Sequence, residues 1–252
     1  MPFLSALPTV DPQSVVDGAK LWSGPGYIDG LQMQWVSATA VTVSSGRAYI
    51  PSLGYYLDAP NAISLTGLAL AASTFYHLYL YNNAGTPAVE CVMTAPAAPY
   101  NGTARAKTGD TSRRYIGSVL TDASGNVYNF IQNGAHISYQ TPGDVSPFRA
   151  LSAGTAVIST SVSLAGVVPV TSALAQLRFL GDPTSAARWS NNNIPGASTD
   201  SGAGTYYILP AAPGSATVTD FPLSAGNLFY WNTTTPTGGG VFCDTFGYVY
   251  NR

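Results

Sequence analysis

The chain has 252 residues, only 9% of them charged, and a net charge of −2, so it lacks the basic surface that nucleic acid or an anionic membrane would require. Its 26 Gly and 18 Pro stand against a single Glu (Glu90) and two Lys (Lys20 and Lys107), which excludes a helical bundle and indicates an all-β protein with very little helix. With so few ions, solubility rests on Ser, Thr, Asn and Gly, a surface suited to permanent assembly or to the outside of a cell.

In chain order, MPFLSALPTVDPQ has no basic stretch and two early prolines, unlike a secretory signal. DPQSVVDGAKLW is the one predicted helical turn, with Asp11 as cap and Pro12 in the first helical position. From about residue 35 the apolar residues alternate with period 2. In FYHLYLY the alternation places Tyr76, Leu78 and Leu80 on one face and Phe75, His77, Tyr79 and Tyr81 on the other. NNAGTP then supplies a turn and AVECVM returns, which predicts a β-hairpin over 75–94. The stretch 94–110 is rich in Pro and Gly, lacks periodicity and reads as a long surface connection. Tyr115 to Leu120 alternates again, TDASGN forms a polar corner with a Gly free to take positive φ, and Val127 to Ile131 favours a strand, so a second hairpin is expected there.

TPGDVSPF breaks the pattern near residue 142 and is the candidate domain boundary, dividing the chain into 1–145 and 150–252. Beyond it Ala156, Ile158, Thr160, Val162 and Leu164 share one predicted strand face. ALAQLRFLG, TYYILP, ATVTDF, NLFYWN and GVFCDTFGYVY follow at intervals of roughly ten residues. The expected fold is therefore all-β, with two β-sandwich or jelly-roll-like domains. The longest apolar run, AVISTSVSLAGVVPVTSALAQL, is interrupted by Ser, Thr and Pro169 and reads as a pair of strands, not as a membrane span. Cys91 and Cys243 are expected to be free, buried thiols.

The familiar signatures of nucleotide, metal and serine-hydrolase chemistry are missing: there is no Walker loop, G-x-G-x-x-G, G-x-S-x-G, H-E-x-x-H or C-x-x-C. His77 lies in a predicted strand among aromatic residues and reads as structural, and His136 has no Cys or carboxylate at ligand spacing. No catalytic residue, cofactor or metal is therefore assigned. GDTSRR could grip a phosphate with Arg113 and Arg114, since guanidinium forks match such anions. Adjacent strand residues point to opposite faces, however, so the favoured reading has Arg113 and Arg114 hold Asp110 or backbone carbonyls, the three pinning the long connection to the hairpin that follows. ARWSNNNIPG places Trp189 beside Asn191, Asn192 and Asn193 in an expected loop. A flat ring with neighbouring amides is a serviceable sugar platform, although a Trp folded back on the core is the competing reading.

Between Ser45 and Phe130 the chain, in SGRAYIPSLGYYLDAP, YHLYLY, GDTSRRYIGS and the closing G-N-x-Y-x-F, resembles a β-rich module of tail-fibre and other virion proteins of tailed bacteriophages. The likeness covers about a third of the chain and leaves 150–252 outside it. It implies a non-enzymatic virion subunit, assembled in the host cytoplasm, often trimeric, and held to other virion proteins through a segment near its amino terminus. A tail-fibre or baseplate-associated protein that attaches to a host-surface glycan is the reading it favours. The alternatives are a capsid decoration or head-fibre protein and, from another class, a polysaccharide depolymerase. Neither nucleic acid nor membrane insertion belongs to the expectation.

Overall fold

The computed structural model describes residues 24–140, 148–191, 208–223 and 227–252. The expected helical turn in DPQSVVDGAKLW lies outside these residues. Among the described residues every regular element is a strand. In chain order they are β1 (Ile28–Gly30), β2 (Met33–Ser37), β3 (Ala40–Val43), β4 (Gly46–Ile50), β5 (Tyr55–Ala59), β6 (Ile63–Leu65), β7 (Phe75–Asn83), β8 (Thr86–Val92), β9 (Ala106–Lys107) and β10 (Asp110–Leu120). There follow β11 (Phe130–Asn133), β12 (His136–Tyr139), β13 (Arg149–Gly154), β14 (Thr160–Ser163), β15 (Ser172–Leu180), β16 (Ala187–Ser190), β17 (Ile208–Ala211), β18 (Ala216–Pro222), β19 (Asn227–Asn232) and β20 (Val241–Tyr250).

These strands form five antiparallel sheets, so the protein is all-β. Three belong to the first half: β1-β4-β5, β2-β3-β6 and β8-β7-β10-β9. The β7–β8 hairpin occupies the predicted stretch, and its turn is tied by the Gly85 amide donating to Asn82 Oδ1 at 2.7 Å. Alternation in β7 does not separate a wet face from a dry one, because Tyr76 through Leu80 are all buried. The strand lies between β8 and β10 within its sheet and has packing on both faces, the situation in which a strand reads as a continuous apolar run.

The second expected hairpin forms only its corner. Gly125 takes φ +81° and the Asp122 carboxylate accepts the Ser124 and Asn126 amides, but Thr121 and Val127 make a single bridge. The returning chain then pairs with β12 as β11, not with β10. In the same way the expected strand at Thr155 to Leu164 shortens to β14, and Ile158 is left 63% exposed outside it.

The largest sheet runs β11-β12-β20-β15-β18, with β13 also on β20. β20 is its axis: β12 and β13 occupy successive parts of one side, and β15 lies along the whole of the other. The division expected at residues 145–150 therefore does not coincide with a break in pairing, since β11 and β12 complete a sheet whose remaining strands follow it. A single buried cluster likewise runs from Leu31 to Tyr250. Tyr248 and Tyr250 of β20 donate their hydroxyls to the Ser118 and Ile116 carbonyls of β10, at 2.8 and 3.0 Å, which locks the large sheet onto the β7–β10 sheet.

In the second half, β14-β19-β16-β17 faces β15 and β18 across a core of large rings. β15 shows why: Ala175, Leu177 and Phe179 are buried on its inner face, while Gln176 and Arg178 lie on the other. Phe179 packs 4.4 Å from Trp189 and 5.3 Å from Phe221, measured between ring centroids. The two sheets thus bury their facing rings against each other, as the layers of a sandwich do.

Gly247 marks where β12 closes on β20. A Cβ there would overlap the Ile137 carbonyl oxygen, which is backbone and cannot swing aside. Gly247→Ala is expected to part β12 from β20 and to lower stability by about 2 kcal/mol. A urea titration checks this, together with hydrogen exchange showing loss of protection confined at first to 136–139.

Candidate functional site

The basic cluster near β10 is built from charges that meet in pairs. Glu90 on β8 receives Lys107 Nζ at 2.9 Å and lies 3.3 Å from Arg113 Nε, while the Arg113 guanidinium rests over the Tyr81 ring at 4.0 Å. Asp110 Oδ1 accepts the Ser112 amide and hydroxyl, at 2.9 and 2.6 Å. The hydroxyl bond is the main reason its carboxyl titrates below the usual range. Arg114 has different partners. It is fully buried, and its guanidinium donates to the carbonyls of Tyr115, Arg105 and Gly26 at 2.9, 3.2 and 3.2 Å, with the Tyr100 ring 5.8 Å away. Burial pulls the Arg114 pKa down, and Tyr100 opposes that shift. Arg113 and Arg114 thus hold different parts of the chain, and no anion could bridge them.

Trp189 is placed otherwise than the loop expectation had it. It lies in β16, fully buried, stacked on Tyr230 at 5.4 Å on one strand neighbour and against Phe179 across the sandwich. The cause is the register of the sheet, which sets Trp189 opposite Tyr230 of β19 and Leu209 of β17 with its ring turned into the core. A ring with no exposed surface cannot serve as a sugar platform. Asn191 follows β16 and is half-buried; Asn192 and Asn193 lie outside the described residues.

His77 is also interior. Its Nδ1 is 2.7 Å from Ser118 Oγ, which meets Tyr115 Oη at 2.8 Å, and Tyr115 Oη meets Thr171 Oγ1 at 2.8 Å. This buried chain of polar atoms ties β7 and β10 to the segment entering β15. Burial lowers the His77 pKa to about 4. Cys91 and Cys243 are free thiols; burial pushes Cys91 up to about 12 and Cys243 up as well, so neither is a ready nucleophile at neutral pH. Among the described residues no three His, Cys, Asp or Glu side chains are gathered where they could hold a metal ion.

What sequence reasoning missed is a surface. Val36 (55% exposed), Tyr55 (50%), Ile131 (57%) and Val218 (60%) lie on β2, β5, β11 and β18 respectively. Each of these strands is the outermost of its sheet. Tyr27 directly precedes the outer strand β1, and Met93 directly follows the outer strand β8. Outer strands usually carry Lys, Pro or inward charges that discourage pairing with another chain, yet β2 and β11 contain none of these, and β5 and β18 contain no Lys or Arg, only Asp58 in the one and Asp220 with Pro222 in the other. The signal available in the sequence was the scarcity of Lys; which strands would lie outermost was not.

Compared with known proteins, the chain matches no family model and no curated sequence. The likeness of Ser45 to Phe130 to virion modules rests on the motifs alone.

Two expectations follow from the buried groups. Trp189→Ala should destabilise the fold by about 3–5 kcal/mol, a size that belongs to a core ring and not to a surface platform; a denaturant midpoint checks it. For His77, the unfolded side chain titrates near 6.5 and the folded one near 4. As pH falls through that window the unfolded state takes up a proton that the folded state does not. Stability should drop by on the order of 3 kcal/mol and then level off with respect to this group. Asp110, Asp122 and Asp182 have depressed carboxyl pKa values, so their contribution is lost only at lower pH, below the unfolded carboxylate range. Urea midpoints from pH 7 to 4.5 should fall less steeply in His77→Gln than in the parent protein.

Proposed function

We propose that this chain is a structural subunit of a tailed-phage particle, a tail-fibre or baseplate-associated protein of the host-attachment apparatus, which buries its outer strands against copies of itself. One observation carries the reading: large apolar side chains stand exposed on outermost strands that lack Lys and Arg. Such edges are liabilities for a free monomer and assets in a permanent assembly, where backbone groups and apolar side chains are covered together. The scarcity of charge elsewhere on the chain and the virion-like motifs between Ser45 and Phe130 support the same role. A homotrimer is the assembly that the motifs imply, and neighbouring virion proteins are the remaining partners.

Analytical ultracentrifugation of the purified protein should give a trimeric mass at micromolar concentration. Ile131→Lys combined with Val218→Lys should shift the distribution towards monomer with an unchanged circular-dichroism spectrum. A wild-type protein that stays monomeric would remove the ground for the reading. Electron microscopy of labelled particles should find the subunit on the tail; a position on the shell would transfer it to capsid decoration.

A further inference from the structure

A cavity of about 530 Å³ opens between the two halves of the chain, within the roughly 300–1,000 Å³ typical of small-ligand sites. Phe75 and His77 of β7 form one wall. The connection between β14 and β15 forms the other, through Ala165, Val168, Pro169 and Val170. Ser163 and Asn227 stand at the side, and no lining residue is charged. Val170 projects from the wall with 66% of its surface exposed, so the apolar character continues to the mouth.

The polar end is His77, of which only 4% is exposed. Its Nδ1 is engaged by Ser118 Oγ, which is itself braced by Tyr115 and, through Tyr115, by Thr171. The imidazole is thereby oriented from behind. Its second nitrogen, Nε2, has no hydrogen-bond partner among the described residues. A ring nitrogen without a protein partner, at the edge of a cavity lined mostly by carbon, is a polar atom that a ligand can use.

The lining decides the class of partner. No charged side chain lines the cavity to receive an anion or a cation. A sugar carries a hydroxyl on nearly every carbon, whereas most of this wall offers only carbon to meet them. A hydroxyl on an apolar body satisfies both ends, because it can donate or accept and so suits either tautomer of the histidine. Phe75 on the wall favours a flat body over a flexible chain. We propose that this cavity binds a small uncharged aryl alcohol, its ring held between Phe75 and the Val168–Val170 wall and its hydroxyl bonded to Nε2 of His77.

The test is an NMR titration of the full chain with 4-ethylphenol, ethylbenzene and 4-ethylbenzoate, read at the Val168 methyl resonances in every variant and, where His77 is present, at its ring resonances as well. The phenol should give a saturable shift, ethylbenzene about fivefold weaker binding for want of the hydrogen bond, and the benzoate none. Ala165→Phe should fill the cavity and abolish phenol binding. Val170→Trp at the exposed mouth should weaken it and serves as the control if Ala165→Phe does not fold. His77→Phe should erase the preference for phenol over ethylbenzene. The proposal is overturned by the lack of any saturable shift with the phenol, by benzoate binding as tightly, or by unchanged binding in folded Ala165→Phe and Val170→Trp proteins.

Discussion

The fold depends on the register of β20, and that register is fixed by one buried carboxylate. Asp244 is directly opposite Arg149 of β13 on one side and Arg178 of β15 on the other. Arg149 donates from Nε to Oδ1 at 2.7 Å and from Nη2 to Oδ2 at 3.3 Å, while Arg178 donates from Nη2 and Nε to Oδ2 at 2.6 and 3.1 Å, so two guanidinium forks converge on one carboxylate. The carboxylate is fully buried while the arginines keep about a quarter of their side-chain surface, and each lies over a ring of β20 itself, Phe242 or Phe246. A one-residue slip of either neighbour would leave Asp244 buried beside an uncharged residue, at a cost of several kcal/mol. Apolar strands that slide on one another are poorly specified by packing alone. Three charged side chains in a chain that has so few are enough to forbid the slip.

The same economy holds elsewhere. Glu90 gathers Lys107 and Arg113, and Arg114 gathers backbone carbonyls from three segments. Asp182 is fully buried at the turn after β15; burial alone would raise its pKa, but bonds from Thr184 and the amides of Gly240 and Gly238 outweigh that and hold it down. Charge here serves the interior and the connections, and several outer strands are left without it. An exterior so arranged has little electrostatic means of keeping other chains at a distance, which is the physical content of the assembly reading.

Local pattern made the β-class and the β7–β8 hairpin legible, because both alternation and turn residues lie within twenty positions of each other. The second hairpin misled for the same reason: the Asp122–Gly125 corner is real, but the partner of the strand beyond it is β12, and β12 in turn pairs with β20. No local signal announces a partner so distant. Trp189 is in the core, as one of its two readings had it, but in a strand and not in a loop. β16 has four residues, too few to show a period, and the run of Asn after it is strong turn chemistry that masked a core strand. Pro142 and Pro147 of the expected boundary lie outside the described residues, while β12 before them and β13 after them both pair with β20, a partner that composition does not announce.

The placement of β20 also sets an order of events during synthesis. β11 and β12 emerge early, but Ser138 pairs with Gly247, about 110 positions further on, a wait of roughly 5–20 s at ordinary rates of translation. For that interval Ile137 and Tyr139 have no β20 to cover them, and the open side of β12 is a template for any passing strand. Nascent chains crowded on one messenger would be exposed to mutual entanglement before any of them is finished, and slow initiation or a chaperone bound near residue 137 would raise the yield of soluble protein.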